Sequence, residues 1–261
     1  MSAPSSILVD RDERTATVTF DKPAALNALD LGMWSDLAAT MATLSADDTL
    51  RCIVLRGAGG QAFSAGADIA DFPHSRLNAA QARGYGQVTG AAMRAIADCR
   101  HPTVALIQGV CVGGGLEIAS MCDMRICGTS SRFGVPVNRL GLVVSYDEMA
   151  GLVGLVGKAV ALEIVLEGRV FDAQEAFAKR LVNKVVADAE VVEQAYATAR
   201  RIGHGAPLVA RWHKQFLRRL AEPAPLTEAE RDEAYACFDT EDFRIGYQSF
   251  LKKERPTFVG R

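Results

Sequence analysis

The sequence predicts an α/β fold whose C-terminal third is helical. Up to about Tyr146, short apolar runs typical of buried strands alternate with helix-like segments. Beyond that residue the strand signals fade and helical composition dominates. The 261 residues are 49% hydrophobic, which is enough for one large core, and no flexible linker divides them. We therefore expect a β/α core over residues 1–200 and a helical region over residues 201–261 that packs on a neighbouring subunit.

The first elements are a hairpin and a helix. Residues 7–9 and 15–20 are β-type runs around a polar segment, which is the pattern of a β-hairpin. Asp30 is a suitable N-cap for the helix that follows. The apolar residues of that helix recur at three- and four-residue spacing: Leu31, Trp34, Leu37, Met41 and Leu44.

Three apolar runs then predict buried strands, at residues 52–55, 104–107 and 124–127. Helix-like segments lie between the first two and, at residues 113–120, between the last two. Five further helices are predicted after these strands, at residues 173–179, 190–202, 207–220, 227–238 and 241–253.

Charge and composition exclude several classes of function. The 29 Lys and Arg residues nearly balance the 31 Asp and Glu residues, and no basic stripe is present, so we expect no nucleic-acid partner. The first residues lack a targeting pattern and no run reaches the ~18 apolar residues of a membrane span, so we expect a cytoplasmic protein with no membrane contact.

The cysteines predict neither disulfides nor a metal site. They form no CxxC pair, and only four histidines accompany them. Most lie in apolar segments, as is typical of reduced core thiols. The six are Cys52, Cys99, Cys111, Cys122, Cys127 and Cys237.

Common nucleotide and hydrolase motifs are missing. Residues 151–159 resemble a phosphate-binding loop, but Leu152 and Ala159 break the GxxxxGK[ST] pattern. No GxGxxG opens a helix after a strand, and no GxSxG is present.

Two glycine-containing turns remain, Ala62-Phe-Ser-Ala-Gly-Ala-Asp-Ile69 and Gly109-Val-Cys-Val-Gly-Gly-Gly-Leu-Glu117. Each follows a predicted strand and enters a helical segment, so its backbone N–H groups are left unpaired at the positive end of a helix. If the turns face each other, one N–H from each forms an oxyanion hole for a thioester carbonyl. Taken alone, the glycines favour the other interpretation, a helix packed tightly on a sheet beside a plain loop.

These two motifs, about fifty residues apart, resemble those of the enoyl-CoA hydratase/isomerase family, the crotonase superfamily. The resemblance covers nearly the whole chain, and the order and spacing of its short motifs make it specific. The other matches are residues 22–29, 122–126, 133–136, 167–169, 172–176 and 250–256.

The resemblance implies a ββα spiral core over residues 1–200 and a helical trimerisation region over residues 201–261, assembled as homotrimers or homohexamers. It implies that the Ala67 and Gly114 N–H groups bind the thioester oxygen of an acyl-CoA. Coenzyme A is then part of the substrate, and no other cofactor or metal is expected. Positions that match the CoA path are Ala24, Ala65, Asp68 and Ile69, and positions that match a neighbouring subunit's CoA site are Phe250 and Lys253.

The same resemblance makes Glu117 a catalytic glutamate. The helix dipole would lower its pKa and burial would raise it. Hydratases of the family use a second glutamate, and Val137 stands at its position. Ser145, Tyr146, Asp147 and Glu148 are close by in sequence; one of them could supply the missing acid, although a solvated helix start is the expectation for this segment.

Hydration of a 2-enoyl-CoA is the first expectation for the reaction. Isomerisation of an enoyl-CoA is an alternative, although isomerases of the family generally keep the second glutamate. Decarboxylation of an acyl-CoA is another, since it needs no second carboxylate and residues 136–138 resemble the decarboxylases. A further alternative is a chain that binds acyl-CoA without catalysis.

Overall fold

A six-stranded sheet and a four-stranded sheet form the β part of the protein in the computed structural model, which describes residues 6–261. The first five residues, on which the expectation of no targeting signal partly rests, lie outside this range. The strands of the larger sheet, in order across it, are β1 (Ser6–Asp12), β2 (Thr15–Asp21), β3 (Cys52–Gly57), β5 (Thr103–Ile107), β7 (Met124–Gly128) and β10 (Lys184–Val186). Those of the smaller sheet are β4 (Ala62–Ser64), β6 (Val110–Val112), β8 (Arg132–Gly134) and β9 (Phe171–Asp172).

The helices fill the connections and the C-terminal region. The α-helices are α1 (Leu31–Ala46), α2 (Phe72–Ser75), α3 (Ala79–Ala97), α4 (Gly114–Met121), α5 (Tyr146–Glu167), α6 (Ala173–Ala178), α7 (Val191–Gly203), α8 (Pro207–Leu220), α9 (Glu228–Asp232) and α10 (Glu241–Lys252). Short 3-10 helices lie at Pro23–Ala25, Ile69–Asp71, Pro136–Leu140, Asp188–Glu190 and Glu233–Asp239.

The strands repeat a ββα pattern. β1 and β2 form the predicted antiparallel hairpin, and β2, β3, β5, β7 and β10 are parallel. Each of the pairs β3 and β4, β5 and β6, and β7 and β8 gives one strand to each sheet before the chain enters a helix. The predicted α/β fold with a ββα spiral core is therefore confirmed.

The parallel strands are buried on both faces, as their apolar runs predicted. Helix α1, capped by the Asp30 carboxylate that accepts from the Met33 N–H at 3.0 Å, packs on one side together with α3. Helix α7 covers the other side with Val191, Ala195 and Ala199. The larger sheet is thereby fixed, and the turns of the site follow β4 and β6 of the smaller sheet.

Two features of the C-terminal half differ from the predictions. Strands β9 and β10 were not predicted, because segments of two and three residues are too short to show a period. The helix predicted at residues 227–238 breaks at Glu233 into α9 and a 3-10 helix. Large apolar side chains of residues 201–261 are exposed in a single chain: Leu217, Leu220, Tyr235, Phe238, Phe250 and Leu251.

Helix α5 is, by length and composition, apolar enough to cross a bilayer. Its apolar residues do not form one uninterrupted run, because Lys158 and Glu163 divide them. Gly157, with φ 73° and ψ 170°, interrupts the helix. The pieces on either side, residues 146–156 and 158–167, are each shorter than the ~20 residues that a spanning helix needs.

Candidate active site

The first glycine turn leaves β4 at Ser64 and is held by backbone on its other side. The Leu29 N–H donates to the Gly66 carbonyl at 2.7 Å, and the Asp68 N–H donates to the Leu29 carbonyl at 2.9 Å. The Ser64 hydroxyl accepts from the Gly66 N–H at 3.0 Å and donates to the Asn27 carbonyl at 2.8 Å. Ala67 is therefore presented on a braced segment.

The second turn needs each of its glycines for a different reason. Gly113 has φ 50°, in the region that L-residues avoid. A Cβ at Gly115 would lie 2.2 Å from the Ser64 carbonyl oxygen. A Cβ at Gly114 would lie 3.2 Å from the Trp34 ring. Both the close packing and the unpaired N–H groups that the sequence left as alternatives are present.

The two turns face each other. A Cβ at Gly66 would lie 2.6 Å from the Gly114 nitrogen, and Gly66 also has φ 90°. Within the described residues, neither the Ala67 N–H nor the Gly114 N–H donates a hydrogen bond to the protein. Two free donors on adjoining turns, one of them at the N-terminus of α4, are the arrangement that stabilises an oxyanion.

Glu117 lies in the first turn of α4 and is only 6% exposed. Burial raises its pKa well above the ordinary value, the neighbouring Glu148 raises it further, and Arg76 opposes them. Desolvation, one of the two effects expected from the sequence, is the main cause of the shift. Burial therefore favours the protonated form of this carboxyl group.

A cavity of about 130 Å³ joins these groups. Ala67, Gly114 and Glu117 line it on one side. The opposite side is the segment from Pro136 to Glu148, whose lining residues are mainly apolar: Val137, Leu140, Leu142, Val143 and Val144. The oxyanion donors and the carboxyl group thus share one space with room for a short acyl chain.

The model of the enoyl-CoA hydratase/isomerase family matches residues 10–261. The chain belongs to this family. It is 30% identical over 253 residues to the short-chain-enoyl-CoA hydratase of Clostridium acetobutylicum, covering 96% of both proteins. It is 30% identical over 265 residues to the crotonyl-CoA hydratase of Syntrophomonas wolfei, covering 99% of this chain and 100% of that protein. A solved enoyl-CoA hydratase/carnitine racemase from Magnetospirillum magneticum superposes with a TM-score of 0.97 at 46% identity, covering 99% and 97% of the two chains.

In this member of the hydratase/isomerase family, Val137 lies in the 3-10 helix Pro136–Leu140 and its side chain lines the cavity. The candidates to replace the missing acid are not equivalent. Ser145 caps α5, Tyr146 is 98% exposed, and Asp147 forms an ion pair with Arg94 on the surface. A solvated helix start therefore describes these three residues correctly.

Glu148 is the exception, because it lines the cavity together with Glu117. Its carboxylate accepts from the Ser145 N–H at 2.9 Å and from the buried Thr89 hydroxyl at 3.3 Å. It also raises the pKa of Glu117, which places the two carboxyl groups within electrostatic reach. The family's second carboxylate is absent at residue 137, and a different one reaches the same cavity from α5.

The residues matched to CoA sites fall into two groups. Ala65 and Ile69 line the cavity. Four others do not line it: Ala24, Asp68, Phe250 and Lys253. Asp68 binds Lys22 at 2.8 Å, and this ion pair lowers its pKa. Phe250 is exposed on α10 and Lys253 is exposed at the C-cap of that helix, so their roles in a neighbouring subunit's site stay predictions.

Three cavity residues were not recognised as functional from the sequence: Trp34, Arg76 and Tyr85. Trp34 counted only as an apolar position of α1, and the segment containing Arg76 and Tyr85 has no motif. The signal that identifies them is spatial, since all three line the same cavity and each has a buried polar atom.

The thiols lie apart from this chemistry. Five of the six cysteines are buried, which confirms their prediction as core residues; Cys237 is partly exposed. Burial raises the pKa of Cys52, Cys122 and Cys127 to about 12 in each case. In residues 6–261, no three His, Cys, Asp or Glu side chains are grouped to hold a metal ion.

Proposed function

We propose that this enzyme adds water to short 2-enoyl-CoA thioesters, with Glu117 as the acid and Glu148 as the base. One observation supports this most directly: Glu117 and Glu148 line the same cavity as the free N–H groups of Ala67 and Gly114. The relatives named short-chain-enoyl-CoA hydratase and crotonyl-CoA hydratase, together with a cavity of about 130 Å³, support a short acyl chain.

The geometry supports a stepwise addition. The thioester oxygen accepts from the Ala67 and Gly114 N–H groups, and Glu148 takes a proton from a water molecule as its oxygen bonds to C3. The C2–C3 π electrons move to the thioester oxygen as an enolate, which the two donors stabilise. The enolate then takes the proton of Glu117 at C2. Proton exchange with solvent restores both carboxyl groups.

Hydration of crotonyl-CoA, followed by the loss of enoyl-thioester absorbance, tests the proposal. We expect Glu117→Gln and Glu148→Gln each to lower turnover by about 10²- to 10⁴-fold, because each removes a proton-transfer group. Asp147→Asn is the matched control, since Asp147 precedes Glu148 but pairs with Arg94 on the surface. Hydration by Glu148→Gln at the wild-type rate would remove Glu148 from the mechanism.

Double-bond isomerisation is the second candidate, and the observation that favours it is Glu117, a carboxyl group that lines the same cavity as Ala67 and Gly114. Glu117 alone could carry a proton between C2 and C4 of an enolate held by these two residues. Glu148→Gln separates the reactions, because it should spare conversion of 3-enoyl-CoA to 2-enoyl-CoA while abolishing hydration. Loss of both activities would exclude a single-carboxylate isomerase.

We also propose that the chain forms a homotrimer or homohexamer through residues 201–261. The exposed apolar side chains of this region support it, among them Leu217, Tyr235 and Leu251. Light scattering should give three or six times the 28.0 kDa mass of the chain. A monomer at micromolar concentration would contradict the proposal.

A further inference from the structure

Three buried polar atoms of residues that line the cavity lack a hydrogen bond of good geometry: Trp34 Nε1, Arg76 Nε and Tyr85 Oη. The Tyr85 hydroxyl interacts with both Arg76 and Trp34, so the three form one cluster. Trp34 is 1% exposed, Tyr85 is 6% exposed and Arg76 is half-buried. Buried polar groups are nearly always well paired in folded proteins, so a cluster with poorly satisfied donors beside Glu117 is suited to bind a ligand.

Arg76 also carries a charge without a counterion. Its guanidinium carbon lies 3.4 Å from the centre of the Tyr85 ring and 4.5 Å from the centre of the Phe72 ring. Within residues 6–261, no carboxylate oxygen lies within 4.0 Å of its nitrogens. The two rings hold the cation in place without neutralising it.

The hydrogen-bonding chemistry of these three groups restricts the chemical class of the ligand. The Trp34 ring nitrogen and the Arg76 guanidinium only donate hydrogen bonds, so they cannot satisfy each other. The Tyr85 oxygen can accept from both, but its own proton would still need an acceptor. Water molecules could pair with the donors and solvate the half-buried Arg76, but they would form no ion pair with it. A carboxylate supplies both the acceptor oxygens and the charge, and it matches the planar guanidinium.

The two acidic groups that line the cavity form no ion pair with Arg76. Burial raises the pKa of Glu117 and so favours its neutral form. Glu148 is oriented by the Ser145 N–H and the Thr89 hydroxyl. An anion that enters with the substrate can therefore pair with Arg76.

We propose that the acyl group of the substrate ends in a carboxylate that Arg76, Tyr85 and Trp34 bind, so that the substrate is the CoA thioester of a short dicarboxylic acid. This rests on the proposed function, because it takes the cavity to hold the acyl chain. The cavity of about 130 Å³ limits the length. Since an engineered protein cavity of about 150 Å³ holds benzene, an acyl group of about four to six carbons fits.

Binding of matched saturated thioesters tests the site without requiring turnover. Glutaryl-CoA and butyryl-CoA differ by the terminal carboxyl group, and we expect calorimetry to show about ten- to a hundredfold tighter binding of glutaryl-CoA, the range for hydrogen bonds to a charged group. Arg76→Met should abolish this preference and Arg76→Lys should keep part of it. Arg83→Met, which removes the same charge from an exposed position of α3 outside the cavity, should keep all of it.

Several results would contradict the proposal that this site binds a carboxylate. One is equal binding of the two thioesters by the wild-type protein. Another is an Arg76→Met variant that weakens butyryl-CoA and free CoA as much as glutaryl-CoA, since Arg76 would then contact the CoA phosphates. If Arg76→Met does not fold, Tyr85→Phe serves instead, and it should reduce the preference by about three- to tenfold; an unchanged preference in that variant would count against the site.

Turnover distinguishes this proposal from the hydratase proposal. Glutaconyl-CoA and crotonyl-CoA differ by the same carboxyl group, and the enzyme should favour glutaconyl-CoA by about tenfold or more in kcat/KM. Failure to hydrate either compound would contradict the hydratase function only, because the binding preference for glutaryl-CoA would still report on Arg76. Hydration of both at equal kcat/KM would support the hydratase and contradict the carboxylate site.

Discussion

The two sides of the cavity present different chemical groups: backbone N–H groups on one side and side chains on the other. On one side, the turns at Gly66 and Gly114 present backbone N–H groups, and their spacing is fixed because the two turns touch. On the other side, the segment from Pro136 to Glu148 presents side chains from a 3-10 helix and the start of α5. The first side binds what all acyl-CoA thioesters share, and the second faces the part that differs among them.

Because of this difference, residues can be substituted on the side-chain side of the cavity but not in the two glycine turns. A side chain at Gly66 or Gly115 would overlap backbone atoms of the neighbouring turn. Replacing a side chain on the other side moves no backbone, so Val137 can stand where hydratases have a glutamate. The position of the acid can therefore change within the family while the oxyanion donors stay.

Gly66→Ala should have the largest effect, because its side chain would disrupt the contact between the two glycine turns. Its Cβ would lie 2.6 Å from the Gly114 nitrogen, at a φ of 90° that alanine avoids. We expect kcat/KM to fall by about 10²- to 10³-fold, the cost of losing one oxyanion donor. Steady-state kinetics with the best substrate of the wild-type protein measure it.

Gly60→Ala is the matched control. Gly60 also has a positive φ, 73°, but its nearest neighbour would be the flexible Gln108 side chain at 3.7 Å. The Gly60→Ala variant should therefore carry a similar backbone strain without disturbing the contact between the two turns. We expect its kcat/KM to stay within about twofold of wild type. Equal losses in both variants would mean that the contact between the turns does not matter.

Val137→Glu tests the side of the cavity that is formed by side chains. A third carboxyl group beside Glu117 and Glu148 would add like charge to a small cavity, and we expect hydration to fall by about tenfold. Val137→Gln has nearly the same shape without the charge and should lose less. A large gain of crotonyl-CoA hydration in Val137→Glu would show instead that Glu148 does not serve as the second carboxylate.

The smallest expected effect is that of Glu117→Gln on the thermal stability of the protein. Because the folded pKa of Glu117 is raised, the folded chain holds this proton more tightly than the unfolded chain does. The free energy of unfolding therefore falls as the pH rises above the ordinary value of 4.5. We expect the glutamine variant to unfold at a higher temperature than the wild type at pH 8, and the difference to shrink toward pH 5.

Thermal unfolding at several pH values measures this effect. Glu167→Gln is a suitable control, because Glu167 is exposed at the end of α5. A wild-type protein and a Glu117→Gln variant with parallel pH profiles would show that Glu117 is not buried as an acid in solution.

The backbone side of the site was predicted through the resemblance of its motifs to the enoyl-CoA hydratase/isomerase family. The position of Gly113, Gly114 and Gly115 between a predicted strand and a helix placed the turn, but the glycines alone favoured tight helix packing. The resemblance, rather than helical spacing, also made Glu117 a site residue. Strands β3, β5 and β7 were predicted from the residues themselves, since a buried parallel strand is a continuous apolar run.

The side-chain half could not be predicted in this way. Glu148 faces the cavity only because α5 packs beside α3, where Thr89 binds its carboxylate at 3.3 Å. Arg76 and Tyr85 meet through the folding of α3 against a short helix, and nothing in their sequence spacing reports the ring contact at 3.4 Å. Contacts between elements depend on packing, which no local pattern encodes.

The contact between Gly66 and Gly114 also bears on the temperature dependence of the reaction. Because two backbone segments touch there, the Ala67 and Gly114 donors cannot approach or separate when charge develops on the thioester oxygen. Their ordering entropy was lost when the chain folded, so none remains to be lost in the transition state. In this enzyme the oxyanion donors should contribute to the activation enthalpy and leave the activation entropy almost unchanged.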